Sequence, residues 1–225
     1  RGTPTFAATD DVTVKIGLNL QPGQDLILQS YRIGGVPIQS APLIREITSA
    51  AYQAGARFVD VFWGDEQRKR IRYQQAPEES FDYYPDWEVK AVLEVIERGG
   101  ALLGVYTETP GLLSGQPPER IAAQQKIIRQ HWHPVIKHIG RGTLNWSVIS
   151  VPLPGWAGKV FPDLPEDEQV PALWDTLAEI CRLDQEDPVA AWQKHIQELK
   201  LRSDALNQKA YDALVYSGPG TDLTV

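Results

Sequence analysis

Four kinds of residue in this 225-residue chain have chemistry available to them: carboxylates after a glycine turn, clustered histidines, one cysteine, and polar or aromatic groups near strand ends. Trp63-Gly-Asp-Glu66 lies where a strand is expected to finish, and open parallel sheets bind ligands beyond the carboxyl ends of their strands. Asp is also a preferred N-cap, so Asp65 is expected to cap the helix that follows through Gln67 and Arg68. His131, His133 and His138 cluster, but positions two apart on a helix face opposing flanks and no HExxH spacing is present, so no metal site is expected there. Cys181 is the single cysteine and falls in phase with an apolar helix face, as a core thiol does. No GxSxG elbow occurs, and Gly34-Gly35 and Gly218-Pro-Gly220 match neither a dinucleotide fingerprint nor a P-loop. Asn145-Trp-Ser147 and Trp156, in a Pro/Gly-rich stretch from Pro152 to Lys159 expected to be a loop, flank the end of a strand and can wall a cleft.

These groups need elements to position them. Gln21-Pro-Gly-Gln24 reads as a turn and Asp25-Leu-Ile-Leu-Gln29 as a strand. Ser40 is expected to cap a helix with Leu43, Ile47, Ala51 and Ala54 on one face and Gly55 at its end, followed by Phe58-Val-Asp-Val-Phe-Trp63, a continuous apolar run that reads as a buried parallel strand. The unit repeats: a helix capped by Asp86 leads to Ala101–Tyr106, and a longer helix opened by Pro117-Pro118, carrying Ile121, Ile128, Trp132, Val135 and Ile139, leads to Thr143–Val151. Alternation of strand and helix over about 130 residues predicts an α/β fold, a mostly parallel sheet with helices on both faces. Two helices follow, 166–182 and 187–208, then a hairpin of Tyr211–Tyr216 and Thr221–Val225 around Ser217–Gly220. Val170, Leu173, Trp174, Leu177, Ile180 and Cys181 are expected to face inward on the first helix; on the second, the stripe Val189, Trp192, Ile196, Leu199, Ser203, Leu206 is expected to pack on its predecessor. Residues 1–13 show no convincing period and are expected to be mostly irregular. A sub-boundary is expected near residues 152–165.

Composition excludes several function classes. Net charge is -7, with 22 basic residues scattered among 29 acidic ones, so a nucleic-acid partner is not expected. No run approaches the roughly 18 apolar residues of a membrane span, so neither is a membrane partner.

Several separated blocks, in order, resemble the first half of the thermophilic-type metallo-aminopeptidases, the aminopeptidase T and aminopeptidase S relatives. They are Val14-Lys-Ile-Gly-Leu-Asn-Leu-Gln-Pro-Gly-Gln24, Ala51-Tyr-Gln-Ala-Gly-Ala56, Val59-Asp-Val61 with Trp63-Gly-Asp-Glu66, Ala76-Pro-Glu-Glu-Ser80, Asn145-Trp146, Trp156-Ala157 with Val160–Pro165, Asp187–Trp192 and Gly218–Val225. The resemblance covers nearly the whole chain. It departs from the family at Thr3–Thr13, which lacks the apolar stripe of an opening amphipathic helix.

The resemblance implies a cytoplasmic, homodimeric exopeptidase that releases N-terminal residues from peptides with two divalent cations (Zn, Co or Mg), which polarise the peptide carbonyl and acidify a bridging water. It also implies that the metal ligands lie in a catalytic C-terminal half that does not match this chain, so residues 1–225 are expected to form an N-terminal domain inactive by itself. No metal ligand is transferred to this sequence. The substrate-cleft candidates are Asn145, Trp156, Thr221 and Asp222, polar or aromatic groups at strand ends. Without the resemblance, the same residues leave open a stand-alone α/β small-molecule-binding module or a dimerisation module. With it, Thr221–Val225 is expected to be poorly ordered or to borrow a neighbouring edge, not to form a well-ordered strand inside the chain's own sheet.

Overall fold

The computed structural model describes residues 6–31 and 34–225. Its centre is a four-stranded, wholly parallel sheet of β1 (Asp25–Gln29), β3 (Phe58–Val61), β5 (Ala101–Val105) and β6 (Asn145–Ile149), in spatial order β3-β1-β5-β6. Every residue of β1 and β5 is buried because both sheet faces are covered. Leu26 and Leu28 turn to one face with Ala101, Leu103 and Val105, against α2 (Ala41–Gln53) and the turn Val12–Gly17. Ile27 and Leu102 turn to the other, against α4 (Trp87–Glu97) and α5 (Pro118–Arg141). This alternation is the period of two that a strand imposes on its side chains.

From β1 the chain crosses to β3 on one side, then returns to β5 on the other. The connection therefore reverses direction between β1 and β5, and the crevice outside their carboxyl ends is the preferred ligand position of such sheets. A two-stranded parallel pair, β2 (Val36–Pro37) with β4 (Trp63–Gly64), extends this end. Between them, Gly35 has φ +111°, and a Cβ there would stand 2.5 Å from the Gly64 nitrogen. The glycine pair is what allows the two backbones to approach so closely.

Trp132 anchors the α5 side of the core. It is fully buried, stacks on Tyr31 with ring centroids 4.6 Å apart, and donates its indole N–H to the Tyr84 hydroxyl at 2.8 Å. The remaining elements are α3 (Glu66–Gln75), α6 (Pro154–Val160), α7 (Glu166–Ile180), α8 (Pro188–Lys209) and an antiparallel hairpin of β7 (Val215–Gly218) with β8 (Thr221–Thr224).

Several sequence expectations are corrected by this architecture. Of residues 1–13, 1–5 lie outside the described residues, but Phe6–Asp11 is the helix α1, continuous with the turn that buries Thr13 and Val14. The run from Phe58 is parallel but lies at the sheet edge, with Phe58 54% exposed. Neither Ser40 nor Asp86 caps its helix through the side chain: the Ser40 hydroxyl donates to the Pro37 carbonyl, and Asp86 accepts from His131. Pro152–Lys159 is not a loop, because Pro154 opens α6 at a position where its missing N–H costs nothing. Ile180 points out of α7 at 69% exposure. No residue of α8 is buried, so its Ile196, Leu199 and Leu206 are not packed on the preceding helix. Thr221–Thr224 is paired, in register with Val215–Gly218 and closed by reciprocal backbone bonds between Leu214 and Val225, within a hairpin separate from the central sheet.

Candidate functional site

The carboxylates flagged from sequence do lie at the carboxyl end of the sheet. Asp65 caps α3, accepting from the Gln67 N–H at 2.9 Å. Glu66, the first helical residue, accepts from the Thr109 N–H at 2.5 Å and its hydroxyl at 2.9 Å, and Lys69 pairs with Glu108. The start of α3 is thereby bound to the segment that follows β5.

A cavity of about 390 Å³ opens beside this junction, between the residues that follow β1 and the inner faces of α3, α4 and α5. Tyr31, Asp65, Arg68, Lys69, Arg72, Glu88 and Gln124 contribute its chemistry. Gln124 is 2% exposed, and its Oε1 has no hydrogen-bond partner. Such an orphan costs about 1–3 kcal/mol. Sequence reasoning passed over Gln124, although its spacing from Ile121 and Ile128 places a polar group within the buried stripe of α5.

The second cavity, about 500 Å³, lies between the Val12–Gly17 turn, β6 and the helices α6 to α8. It is apolar, with Trp156, Trp174, Trp192 and Cys181 in its lining. Trp192 donates its indole N–H to the Cys181 carbonyl at 2.8 Å, tying the start of α8 to the end of α7. Burial pushes the Cys181 thiol up from its ordinary value, so the thiolate that a nucleophile needs is disfavoured.

The four cleft candidates do not converge on one pocket. Asn145 opens β6 at its amino end, and its amide donates to the Leu18 and Asn19 carbonyls at 2.9 and 2.7 Å. Trp156 lines the apolar cavity on α6. Thr221 and Asp222 sit on the exposed hairpin, opposite Gly218 and Ser217. The histidines are separated in role as well: His131 Nδ1 meets Asp86 at 2.6 Å, His138 Nδ1 meets the Thr143 hydroxyl at 2.9 Å, and His133 lies on the outer face of α5. Among the described residues no three of His, Cys, Asp and Glu come together in a way that could hold a metal ion. Nor is any helix among them long and apolar enough to cross a membrane.

Comparison with known proteins agrees over this whole architecture. Aminopeptidase 2 of Geobacillus stearothermophilus is 40% identical over 215 residues, 96% of this chain and 51% of the relative. Aminopeptidase T of Thermus thermophilus is 36% identical over the same shares. A solved structure of wild-type AmpT from Thermus thermophilus superposes with a TM-score of 0.85 at 34% identity, covering 98% of this chain and 52% of that one. The chain thus spans about half the length of the curated relatives it matches. The profile of the thermophilic metalloproteases (M29) matches residues 5–225, and the chain belongs to that family.

Proposed function

We propose that residues 1–225 are the N-terminal scaffold and cleft wall of a dinuclear metal-dependent aminopeptidase that releases N-terminal residues from peptides, a homodimer working in the cytoplasm. The observation that carries this function is the match along residues 5–225 to proteins about twice as long, several of them named aminopeptidases. In line with the family resemblance, both cations, whether Zn, Co or Mg, are assigned to the half that this chain does not match. Residues 1–225 are then inactive alone.

The chain's own contribution is shape and position. Trp156 on α6, with Thr221 and Asp222 on the projecting hairpin, supplies surface for the second half to close over. Asn145 acts indirectly, holding the Leu18–Asn19 carbonyls against the sheet. The exposed stripe of Ile196, Leu199 and Leu206 on α8 is the face assigned to contacts with the second half or the other subunit.

A protein in which residues 1–225 continue into the half that relatives carry should cleave aminoacyl reporter substrates when supplied with Zn²⁺, Co²⁺ or Mg²⁺ and stop when chelator is added. Full metal loading without cleavage of any aminoacyl reporter would overturn the assignment.

A further inference from the structure

The outer face of α5 carries a row of cations that the catalytic assignment does not use. Lys126, Arg129, His133, Lys137 and Arg141 follow one another at spacings of three or four, so they line one side of the helix over about 22 Å. All five are exposed, and the first three, with Gln130, border a shallow hollow of about 330 Å³. The opposite face holds Ile128, Trp132, Val135 and Ile139 in the core, which fixes the row toward the outside.

No carboxylate of the chain answers this row. From Arg120 to Pro162 there is no Asp or Glu, although acids outnumber bases by 29 to 22 in the whole sequence. Among the described residues none of the five cations forms an ion pair, and Arg129 bonds the Gln125 carbonyl of its own helix. Residues 1–5, 32 and 33, outside the described set, contain no Asp or Glu, so every carboxylate side chain is accounted for. On the flank of α5, Asp86 is taken by His131, and Glu78 by Arg120. Like charges three or four apart on a helix repel. The helix dipole offsets this at Arg141, in the last turn, but not at Lys126 and Arg129 in mid-helix. The row therefore gains when carboxylates from elsewhere face it.

Its shape and surroundings select the partner. A straight row of this length is matched by carboxylates spaced along a second helix, and not by a compact anion. A nucleic acid carries its charge far past the ridge, over a surface of net charge -7, and no exposed aromatic ring of α5 is present to stack a base. No large apolar side chain of α5 is exposed beside the cations, as insertion into a lipid surface requires. We propose that the outer face of α5 docks an acidic helical segment of another polypeptide, whose carboxylates recur every three or four residues and pair with Lys126, Arg129, Lys137 and Arg141.

The test is fluorescence anisotropy of a labelled peptide helix with Glu along one face, titrated with the 225-residue chain. The comparisons are a peptide of the same composition with Glu spread around the helix, a single-stranded oligo-dT of equal charge, and phosphatidylserine vesicles. Saturable binding of the one-faced peptide is expected, weakening by about tenfold or more between about 50 and about 300 mM NaCl. The double variants Lys126→Gln with Arg129→Gln, and Lys137→Gln with Arg141→Gln, should each weaken it by about fivefold. Their melting temperatures should not change, because all four side chains are exposed. Arg70→Gln, which removes an exposed cation from α3, should leave binding unchanged. No saturable binding, equal binding of the two peptides, an equal effect of Arg70→Gln, or tighter binding of oligo-dT or vesicles would each overturn the proposal. Self-association of the chain that either double variant abolishes would assign the ridge to a second copy and overturn it as well. The readout is binding to this chain alone, so an absence of peptidase activity does not bear on it.

Discussion

Arg57 grips Asp25 with one edge of its guanidinium, Nε to Oδ1 at 2.7 Å and Nη2 to Oδ2 at 2.5 Å, joining the first residue of the central strand to the turn that enters the edge strand. Asp25 is nearly inaccessible, and the fork geometry satisfies both of its oxygens. The bonds from Arg57 hold the Asp25 carboxyl below its ordinary value, against the opposing effect of burial. A depressed native pKa contributes stability that is present above the unfolded value, about 3.9, and is lost as pH falls through the folded one. Asp25→Asn should therefore lower the urea midpoint at neutral pH and flatten its decline below about pH 4. An unchanged acid limb would show that the pair is not coupled to folding.

Asp10 should respond with the opposite sign. It is buried on α1, and burial raises its carboxyl above the ordinary value despite the bond from the Asp11 N–H. Its contribution is present below the unfolded pKa and is lost as pH rises through the raised folded value. Asp10→Asn is expected to raise the urea midpoint at neutral pH, with the gain shrinking toward about pH 4.

Trp132 is the test of the α5 packing. Trp132→Phe keeps an aromatic ring against Tyr31 but removes the N–H that the half-buried Tyr84 hydroxyl accepts, and should cost about 0.5–1.5 kcal/mol beyond the loss of ring area. Trp132→Ala adds a cavity and should cost about 3–5 kcal/mol. Chemical denaturation with the midpoint and slope followed together measures both.

The glycine contact between β2 and β4 gives a fourth stability test. A Cβ on Gly64 would lie 2.4 Å from the Gly34 carbonyl oxygen, backbone against backbone, with no flexible side chain to yield. Gly64→Ala should destabilise by about 1–3 kcal/mol or more, in contrast to Gly140→Ala, whose Cβ meets nothing. Equal behaviour of the two variants would contradict the close approach.

What sequence disclosed depended on how local the signal was. The strand Asp25–Gln29 and the Asp187-Pro188 helix start were legible because an apolar run between turns, or an N-cap followed by proline, carries its information within a few residues. The edge position of Phe58–Val61 was misjudged by reading the run as continuously apolar, since Asp60 interrupts it and burial alternates along the strand as it does where one side is wet. The helix α6 was hidden by Gly155, a poor helix former required by Thr109, whose hydroxyl would lie 2.2 Å from a Cβ there. Of the site, the strand-end position of Asp65 and its cap were readable, whereas the gathering of Arg68, Glu88 and Gln124 from three helices exists only in the folded chain. The cleft candidates chosen by strand-end position were scattered because Asn145 stands at the amino end of β6, Trp156 follows its carboxyl end on α6, and Thr221 and Asp222 belong to a separate hairpin.

The central claim is that residues 1–225 provide a frame and not the metal centre. Elemental analysis of the purified chain after equilibration with Zn²⁺, Co²⁺ and Mg²⁺, paired with an aminoacyl reporter assay on the same sample, tests it most directly. The expected result is no stoichiometric metal and no cleavage above buffer. Two tightly held ions per chain together with chelator-sensitive cleavage would contradict it and place the catalytic centre within these residues.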